Sequence, residues 1–359
     1  MITGNKGEWS EIYVFLKLLG DGFIIPGDNL SNPLPNQKHP LINITRKEQN
    51  HTLLFSIKEE EVLVEGPLGT QSIKRDLFRH HAYQLLEKIL YSGKGAFSVP
   101  SVERFMHSTG IYTLKAKSSK KTDINLRIHD PRSGTNPEMG FSIKSQLGNP
   151  STLLNAGKTT NFVYEIRNLA LIQEELNFLN NISSSSKIMD RLNWVLKKGG
   201  QFQPLGPERQ SLSDNLQFID SDLNKIIGEL ILLYYQGKSS SINELSKILS
   251  NHNPLAYSTG SQQNFYDYKI KKFLFEVALG MMPAKPWTGT YDATGGYIIV
   301  KEKGELICYH NYDKNQFENY LFNNTRLETA SSSRHDFGYI YTEGTKTFLK
   351  LNLQIRFIK

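Results

Sequence analysis

The chain is poor in cysteine: its 359 residues include a single one, Cys308. One thiol excludes an internal disulfide and a zinc site with four cysteine ligands, and nothing indicates an oxidising compartment. No apolar run reaches the roughly 18 residues of a membrane span, and the N-terminus lacks a basic segment followed by an apolar one. We therefore expect neither export nor membrane insertion and predict a cytoplasmic protein.

The charged residues favour the positive sign. The sequence has 42 lysines and arginines against 35 acids, which gives a net charge of +7. A basic surface attracts polyanions because binding releases their counterions. Hydrophobic residues make up 38% of the chain, enough to bury a sizeable core and to exclude a disordered or fibrous protein. Composition thus favours a folded protein with a nucleic-acid partner.

Periodicity predicts an α+β protein with a helical insert. Apolar residues at helical spacing predict helices over 7–19 and 74–91, and another that begins at Pro100. Alternating patterns predict strands over 41–45, 52–57, 61–65, 111–115, 123–129 and 140–146. The pattern is mainly helical from about 166 to 280 and returns to strands afterwards, so we divide the chain into 1–170, 171–284 and 285–359.

The strands over 123–129 and 140–146 carry the first candidate site. Alternation places Asp123 on one polar face, and it places Ser142 and Lys144 on another that a hairpin can stack against it. Phosphodiester hydrolysis needs a metal-binding carboxylate and a cation near the charge that develops on phosphorus. The alternative is a surface ion pair between Asp123 and Lys144, worth at most about 1 kcal/mol.

The segment after the second strand favours a site over a surface ion pair. Residues 147–157 break from the strand into a polar loop and a short helix able to meet a DNA backbone. We expect DNA contacts from its polar side chains, which are Asn149, Ser151, Thr152 and Asn155.

Six strings of the sequence resemble the HpaII family of restriction endonucleases. They are GNKGEWSE at 4–11, GFSIKSQLG at 140–148, TTNF at 159–162, GGYIIV at 295–300, SRHDFG at 333–338 and LNLQIRF at 351–357. Together they span nearly the whole chain.

The resemblance implies a PD-(D/E)xK nuclease that cuts double-stranded DNA within CCGG with Mg²⁺, alongside a cytosine methyltransferase that protects the host. It implies a restriction-endonuclease-like mixed sheet core flanked by helices, with the nuclease core and its catalytic hairpin in 1–170. A mainly helical region, 171–284, and a C-terminal β-rich region, 285–359, follow, and we expect the latter to pack with the core and contact DNA. A palindromic site further suggests a homodimer by symmetry.

The family motif transfers to particular residues. Asp123 matches the first acid and Lys144 the lysine, but Ser142 stands where the pattern has Asp or Glu, and a hydroxyl binds metal poorly. Some nucleases of this fold have Ser-x-Lys and recruit a later glutamate, which favours Glu165 as the second metal ligand. The first helix of such cores often aims a glutamate at the metal, which suggests Glu11, or Glu8 one turn earlier; the alternative is a solvated helix face.

Reading CCGG requires donors to guanine and acceptors for cytosine. Gln146 shares the strand face of Lys144, and Arg127, Arg132, Lys158 and Arg334 lie near or within the family strings. A basic run before Asp123 is explained by phosphate contact or solubility; it comprises Lys115, Lys117, Lys120 and Lys121. His335 and Asp336, expected on a strand, would point to opposite faces, which favours a DNA contact or a structural role over catalysis.

Two other functions compete with the endonuclease. The missing acid at Ser142 suggests a catalytically silent protein that binds CCGG through a degraded nuclease site. A DNA methyltransferase is disfavoured because no glycine-rich cofactor loop follows a strand.

Overall fold

The computed structural model describes residues 1–117, 121–130, 134–258 and 262–358. The chain forms two compact units. Unit 1 comprises Met1–Ser151 and Tyr291–Tyr320, and unit 2 comprises Thr152–Thr290 and Leu321–Lys359. The chain therefore leaves unit 1, builds most of unit 2, returns to complete unit 1 and ends in unit 2.

Unit 1 is built on a mixed sheet. Its helices are α1 (Lys6–Asp21), α2 (Arg75–Tyr91) and α3 (Pro100–Ser108), and α10 (Lys314–Asn323) begins within it. Its strands are β1 (Phe23–Ile24), β2 (His39–Lys47), β3 (Thr52–Ile57), β4 (Glu61–Gly66), β5 (Gly69–Lys74), β6 (Ile124–Ile128), β7 (Glu138–Ser145), β11 (Gly296–Val300) and β12 (Leu306–His310). The order is β12-β11-β7-β6-β2-β3-β4-β5, with β1 beside β2.

Helix α1 packs on this sheet through a continuous apolar face. A capping box begins it: the Asn5 side chain accepts from Glu8 N–H, and Glu8 accepts from Asn5 N–H. Gly22, with φ of 73°, ends it in the left-handed conformation. Trp9 and Ile12 are fully buried, which fixes the side of the helix on which the glutamates lie. The helix predicted over 7–19 is confirmed.

Strands β6 and β7 form the predicted hairpin. They pair antiparallel with Ile124 opposite Phe141, and β11 pairs parallel to β7 with Tyr297 opposite Ser142. Glycine permits this tight junction: a Cβ on Gly140 would lie 2.6 Å from Thr122 Oγ1, and one on Gly295 would lie 2.4 Å from the Phe141 ring. Two strings of the family resemblance thus lie side by side.

Unit 2 combines helices with two smaller sheets. Its helices are α4 (Gln173–Asn181), α5 (Lys187–Lys197), α6 (Gln210–Ile219), α7 (Leu223–Tyr235), α8 (Ile242–His252), α9 (Phe265–Leu279) and α11 (Ser332–His335). Its strands are β8 (Thr152–Leu154), β9 (Asn161–Arg167), β10 (Gln201–Pro207), β13 (Thr325–Leu327), β14 (Ile340–Glu343), β15 (Lys346–Asn352) and β16 (Ile355–Phe357). The sheets have the orders β10-β9-β15-β14 and β13-β16-β8.

The α+β class, with a mixed sheet, helices and C-terminal strands, is confirmed. Three local predictions are wrong: 111–115 forms no strand, 147–157 contains strand β8 where a short helix was expected, and His335 ends helix α11 instead of lying on a strand. The β-prone residues at 111–113 gave the first of these predictions, but the two buried side chains, Ile111 and Leu114, lie three residues apart and so lack the alternation of a strand. Among the described residues, no helix combines the length and apolarity needed to span a bilayer.

Candidate active site

Asp123 lies immediately before β6 and is held against β7. Its backbone N–H donates to Phe141 O at 2.8 Å, which extends the hairpin ladder by one residue. Its Oδ2 accepts from Ile143 N–H at 2.7 Å and from the Ser142 hydroxyl at 3.0 Å. Its Oδ1 accepts no hydrogen bond from the described residues, so one carboxylate oxygen is left for a ligand.

Ser142 therefore has a definite partner. Its side chain is buried, and the described contacts give its hydroxyl the role of a donor to Asp123. A carboxylate at this position would place a second negative charge against Asp123 Oδ2. A serine instead fixes the orientation of the one acid.

Lys144 is half-buried on the same face of β7. Its Nζ lies 5.2 Å from the centre of the buried Tyr297 ring, a cation–π distance that the parallel pairing of β7 with β11 creates. Burial lowers the pKa of the Lys144 ammonium, whereas the negative charges of Asp123 and Glu11 raise it. The lysine is thus within electrostatic reach of two carboxylates.

Glu11 of α1 is the second of these carboxylates. It lines one small cavity with Asp123, Phe15 and Arg46. Burial raises the pKa of Glu11 to about 7, and the charge of Asp123 raises it as well. The other helix candidate, Glu8, is engaged by the capping box and lies 3.6 Å from Lys115 Nζ. The structure therefore brings Asp123, Ser142, Lys144 and Glu11 together.

Glu165 lies on β9 in unit 2. Its Oε2 accepts from Arg167 at 3.0 Å, and its Oε1 lies 3.0 Å from Lys346 Nζ. Hydrogen bonds from Lys346 and then Arg167 lower the pKa of its carboxyl. Both carboxylate oxygens therefore already have cationic partners within their own unit.

The predicted DNA contacts fall into three groups. In unit 1, Arg127 pairs with Glu138 at 3.3 Å, Gln146 and Asn149 follow β7, and the Ser151 hydroxyl donates to Ser145 O. In unit 2, Thr152 begins β8, Asn155 and Lys158 are exposed beyond it, and Arg334 is exposed on α11. Arg132 and Lys120 lie outside the described residues.

Lys121 is a neighbour of the site that the sequence interpretation assigned only to a basic run. Burial and then the charge of Lys144 lower the pKa of Lys121 to about 8, and Asp292 and Asp123 partly offset them. The hydroxyl of the next residue, Thr122, donates to Asp292 O at 2.7 Å and anchors this segment. The sequence did contain a signal for Lys121: it lies two residues before Asp123, and residues two apart share a face in an extended chain.

The donor set fits a divalent cation. Two carboxylates in partly desolvated surroundings repel each other, as the raised pKa of Glu11 records, and Asp123 Oδ1 is available. Mg²⁺ is commonly held by one or two carboxylates and keeps several waters. Within the described parts of the chain, no three His, Cys, Asp or Glu side chains gather as a fuller set of ligands. Asp123 and Glu11 are therefore the residues that fit a metal.

Comparisons with known proteins identify the family. A family model described as "HpaII restriction endonuclease" matches residues 5–357. The type II restriction enzyme HpaII of Haemophilus parainfluenzae is 43% identical over 359 residues, covering 99% of both chains. No solved structure shows a significant match. The resemblance seen in the sequence strings is confirmed, and the chain belongs to the HpaII family of type II restriction endonucleases.

Proposed function

We propose that this protein cleaves double-stranded DNA at CCGG by Mg²⁺-dependent phosphodiester hydrolysis. The observation that carries the proposal is the meeting of Asp123, Glu11 and Lys144 at one end of the β6–β7 hairpin. A desolvated lysine beside two carboxylates suits hydrolysis of a phosphodiester. The CCGG site comes from the family resemblance, and identity of 43% over the full length supports it.

In this proposal Asp123 and Glu11 hold Mg²⁺, and Ser142 orients Asp123. When bound, the metal supplies Lewis acidity and lowers the pKa of a coordinated water. Lys144 donates to a non-bridging phosphate oxygen and stabilises the charge that develops on it. The Tyr297 ring stabilises the Lys144 ammonium through a cation–π contact and excludes water from that side.

DNA binding is proposed to involve the side chains that the sequence interpretation identified. A net charge of +7 supports attraction to phosphates, and Gln146, Asn149 and Ser151 follow directly from the strand that carries Lys144. A palindromic target favours a homodimer, and a restriction activity requires a cytosine methyltransferase partner that protects the cytoplasmic DNA of the host.

Digestion of a plasmid with several CCGG sites tests the proposal. With Mg²⁺, wild-type protein should yield discrete fragments whose ends map to CCGG, and chelation should stop the reaction. Asp123→Asn should leave the plasmid intact at equal protein concentration. Fragments that map to another sequence, or cutting that persists in chelator, would contradict the proposal.

A silent DNA-binding protein is the second candidate, and the observation that favours it is Ser142 in place of an acid. It predicts salt-dependent binding to a CCGG duplex without cutting in Mg²⁺ or Mn²⁺. Glu11 beside Asp123 argues for the enzyme, because it restores a second carboxylate to the site.

A further inference from the structure

Three strings of the family resemblance meet in unit 2, although they are distant in sequence. The strings at 159–162, 333–338 and 351–357 converge on two buried asparagines, Asn161 and Asn352, which face each other across β9 and β15. The Asn352 amide donates to Asn161 Oδ1 at 2.7 Å and to Gly157 O at 2.8 Å. Burying an amide without a hydrogen bond is costly. The groups around this pair are therefore held where they complete its hydrogen bonds.

The Asn161 amide nitrogen holds the backbone of the turn after α11. It donates to His335 O at 2.9 Å and to Asp336 O at 3.3 Å, and it contacts Glu208 Oε2 at 3.2 Å. Glu208 is itself held by Lys350 Nζ at 2.9 Å. The backbone of the turn is thus attached to the centre of unit 2 through a side chain that solvent does not reach.

Further contacts fix the same turn from its other end. Asp336 has φ of 57°, a left-handed conformation that aspartate adopts more readily than most residues and that here ends helix α11. Phe337 is buried against Tyr235, Gly338 N–H donates to Lys350 O at 2.8 Å, and Arg191 donates to Gly338 O. These contacts hold the backbone of the turn from both ends, which suits a precisely positioned surface element.

The side chains of the turn are left available. Arg334 and Asp336 are exposed, and neither side chain makes a hydrogen bond or an ion pair with a described residue. Arg167, Arg326 and Arg356 of unit 2, by contrast, each pair with a carboxylate; Arg356 Nε, for example, lies 2.7 Å from Glu328 Oε2. The turn therefore combines a fixed backbone with a cation and an anion two residues apart, although Asp336 lies within electrostatic reach of Lys350.

From this arrangement we infer that the Arg334–Asp336 turn reads C·G base pairs in the major groove. Arg334 donates to O6 and N7 of a guanine, and Asp336 accepts from the amino group of a cytosine, the two pairings that the edges of CCGG offer. Asn161 and Asn352 are positioning residues that hold the turn. The inference rests on the proposed function, since it assigns readers to the CCGG specificity.

Binding of substituted duplexes tests the inference. Fluorescence anisotropy in Ca²⁺ measures Kd for a CCGG duplex, for the same duplex with 7-deazaguanine, which lacks N7, and for a scrambled duplex. Arg334→Ala should weaken CCGG binding about 10- to 100-fold and scrambled binding only a few-fold. It should also remove the sensitivity to 7-deazaguanine. Arg79→Ala, which removes an equal charge from a surface pair on α2, is the matched control.

The outcomes separate the inference from the proposed function. Equal losses on CCGG and scrambled DNA in Arg334→Ala would make Arg334 a phosphate contact and overturn the inference while CCGG specificity stands. A wild-type protein that binds both duplexes equally would overturn the proposed specificity and the inference with it. Asp336→Ala should relax discrimination at cytosine positions, and unchanged discrimination would remove Asp336 from the readers.

The positioning role has its own readout. Asn161→Asp replaces the donating nitrogen with an oxygen that faces two carbonyls, so the turn should shift. On the folded fraction, the ratio of CCGG to scrambled affinity should fall toward that of Arg334→Ala. A purely structural asparagine would lower Tm and leave that ratio unchanged. Glu208→Gln keeps the volume and provides a milder variant with a smaller expected fall, should Asn161→Asp not fold.

Discussion

The hairpin site of unit 1 and the Arg334–Asp336 turn of unit 2 differ in the solvent exposure of their charged side chains. In the hairpin, Lys144 and Glu11 are withdrawn from water, and their pKa values move toward neutrality. In the turn, Arg334 and Asp336 are exposed, and the buried groups are the amides beneath them. The hairpin site thus buries its charged groups, whereas the turn exposes its charged groups and buries the asparagines that hold its backbone.

The difference follows from what each task requires. Stabilising charge on a reacting phosphate is most effective where water is excluded, because screening is weak there. Reading base edges requires charges that stay accessible to DNA yet are held in one orientation, which a rigid backbone supplies. Variants of the first region should therefore change cleavage more than binding, and variants of the second should do the reverse.

The largest effect is expected from Lys144→Ala. Loss of this cation, which lies within electrostatic reach of Asp123 and Glu11, should lower single-turnover cleavage about 1000-fold, because it removes a preorganised donor from a desolvated site. Affinity for CCGG in Ca²⁺ should change by no more than a few-fold. Lys88→Ala, on the exposed side of α2, is the control for loss of one positive charge. Cleavage at the wild-type rate would exclude Lys144 from the chemistry.

Replacement of the second carboxylate comes next. Glu11→Gln should lower cleavage about 100-fold and raise the Mg²⁺ concentration needed, since one of two metal-binding carboxylates is lost. Glu165→Gln should cut at nearly the wild-type rate, because Lys346 and Arg167 already engage that side chain. The reverse result would assign the second carboxylate to Glu165, as the family pattern first suggested.

Glu8→Gln serves as the control one turn away on α1. Glutamine can still accept from the Asn5 N–H in the capping box, so the variant should leave both Tm and the Mg²⁺ requirement nearly unchanged. A changed Mg²⁺ requirement in this variant alone would transfer the role from Glu11 to Glu8.

A pH dependence of stability should distinguish the two regions without DNA or metal. The pKa of Glu11 is raised from 4.5 to about 7, so the folded state binds the proton more tightly than the unfolded chain. Stability of the metal-free protein should fall between these values as pH rises, by about 3 kcal/mol. Urea unfolding of Glu11→Gln should lack this decline. Arg334→Ala, in the exposed turn, should show the same decline as the wild type.

The smallest effect is expected from Lys121→Ala. A second cation near Lys144 and Asp123 should contribute to holding the substrate phosphate, so cleavage should fall about tenfold. Lys121→Arg should recover most of the rate because it keeps the charge. A rate equal to that of Lys88→Ala would instead place Lys121 among the solvated lysines of the basic run.

Local pattern was enough to predict the hairpin. Alternation over 123–129 and 140–146 placed Asp123 and Lys144 on polar faces, and the structure pairs those strands. Sequence reasoning failed at 111–115, where β-prone residues lie in a loop whose buried side chains, Ile111 and Leu114, do not alternate. Helical spacing did not distinguish Glu8 from Glu11, which lie one turn apart on α1. The structure distinguishes them because the Glu8 side chain is engaged in the capping box.

The sequence by itself determined the family, the hairpin that carries Asp123 and Lys144, and the oddity of Ser142, because these depend on neighbours along the chain. Only the tertiary structure decided that Ser142 donates to Asp123, that Glu11 lies beside it, and that Asn161, Asn352 and the Arg334–Asp336 turn meet. The physical reason is that such contacts join residues distant in sequence. They form when sheets and helices bury their apolar faces together, and no local periodicity records which distant side chains then become neighbours.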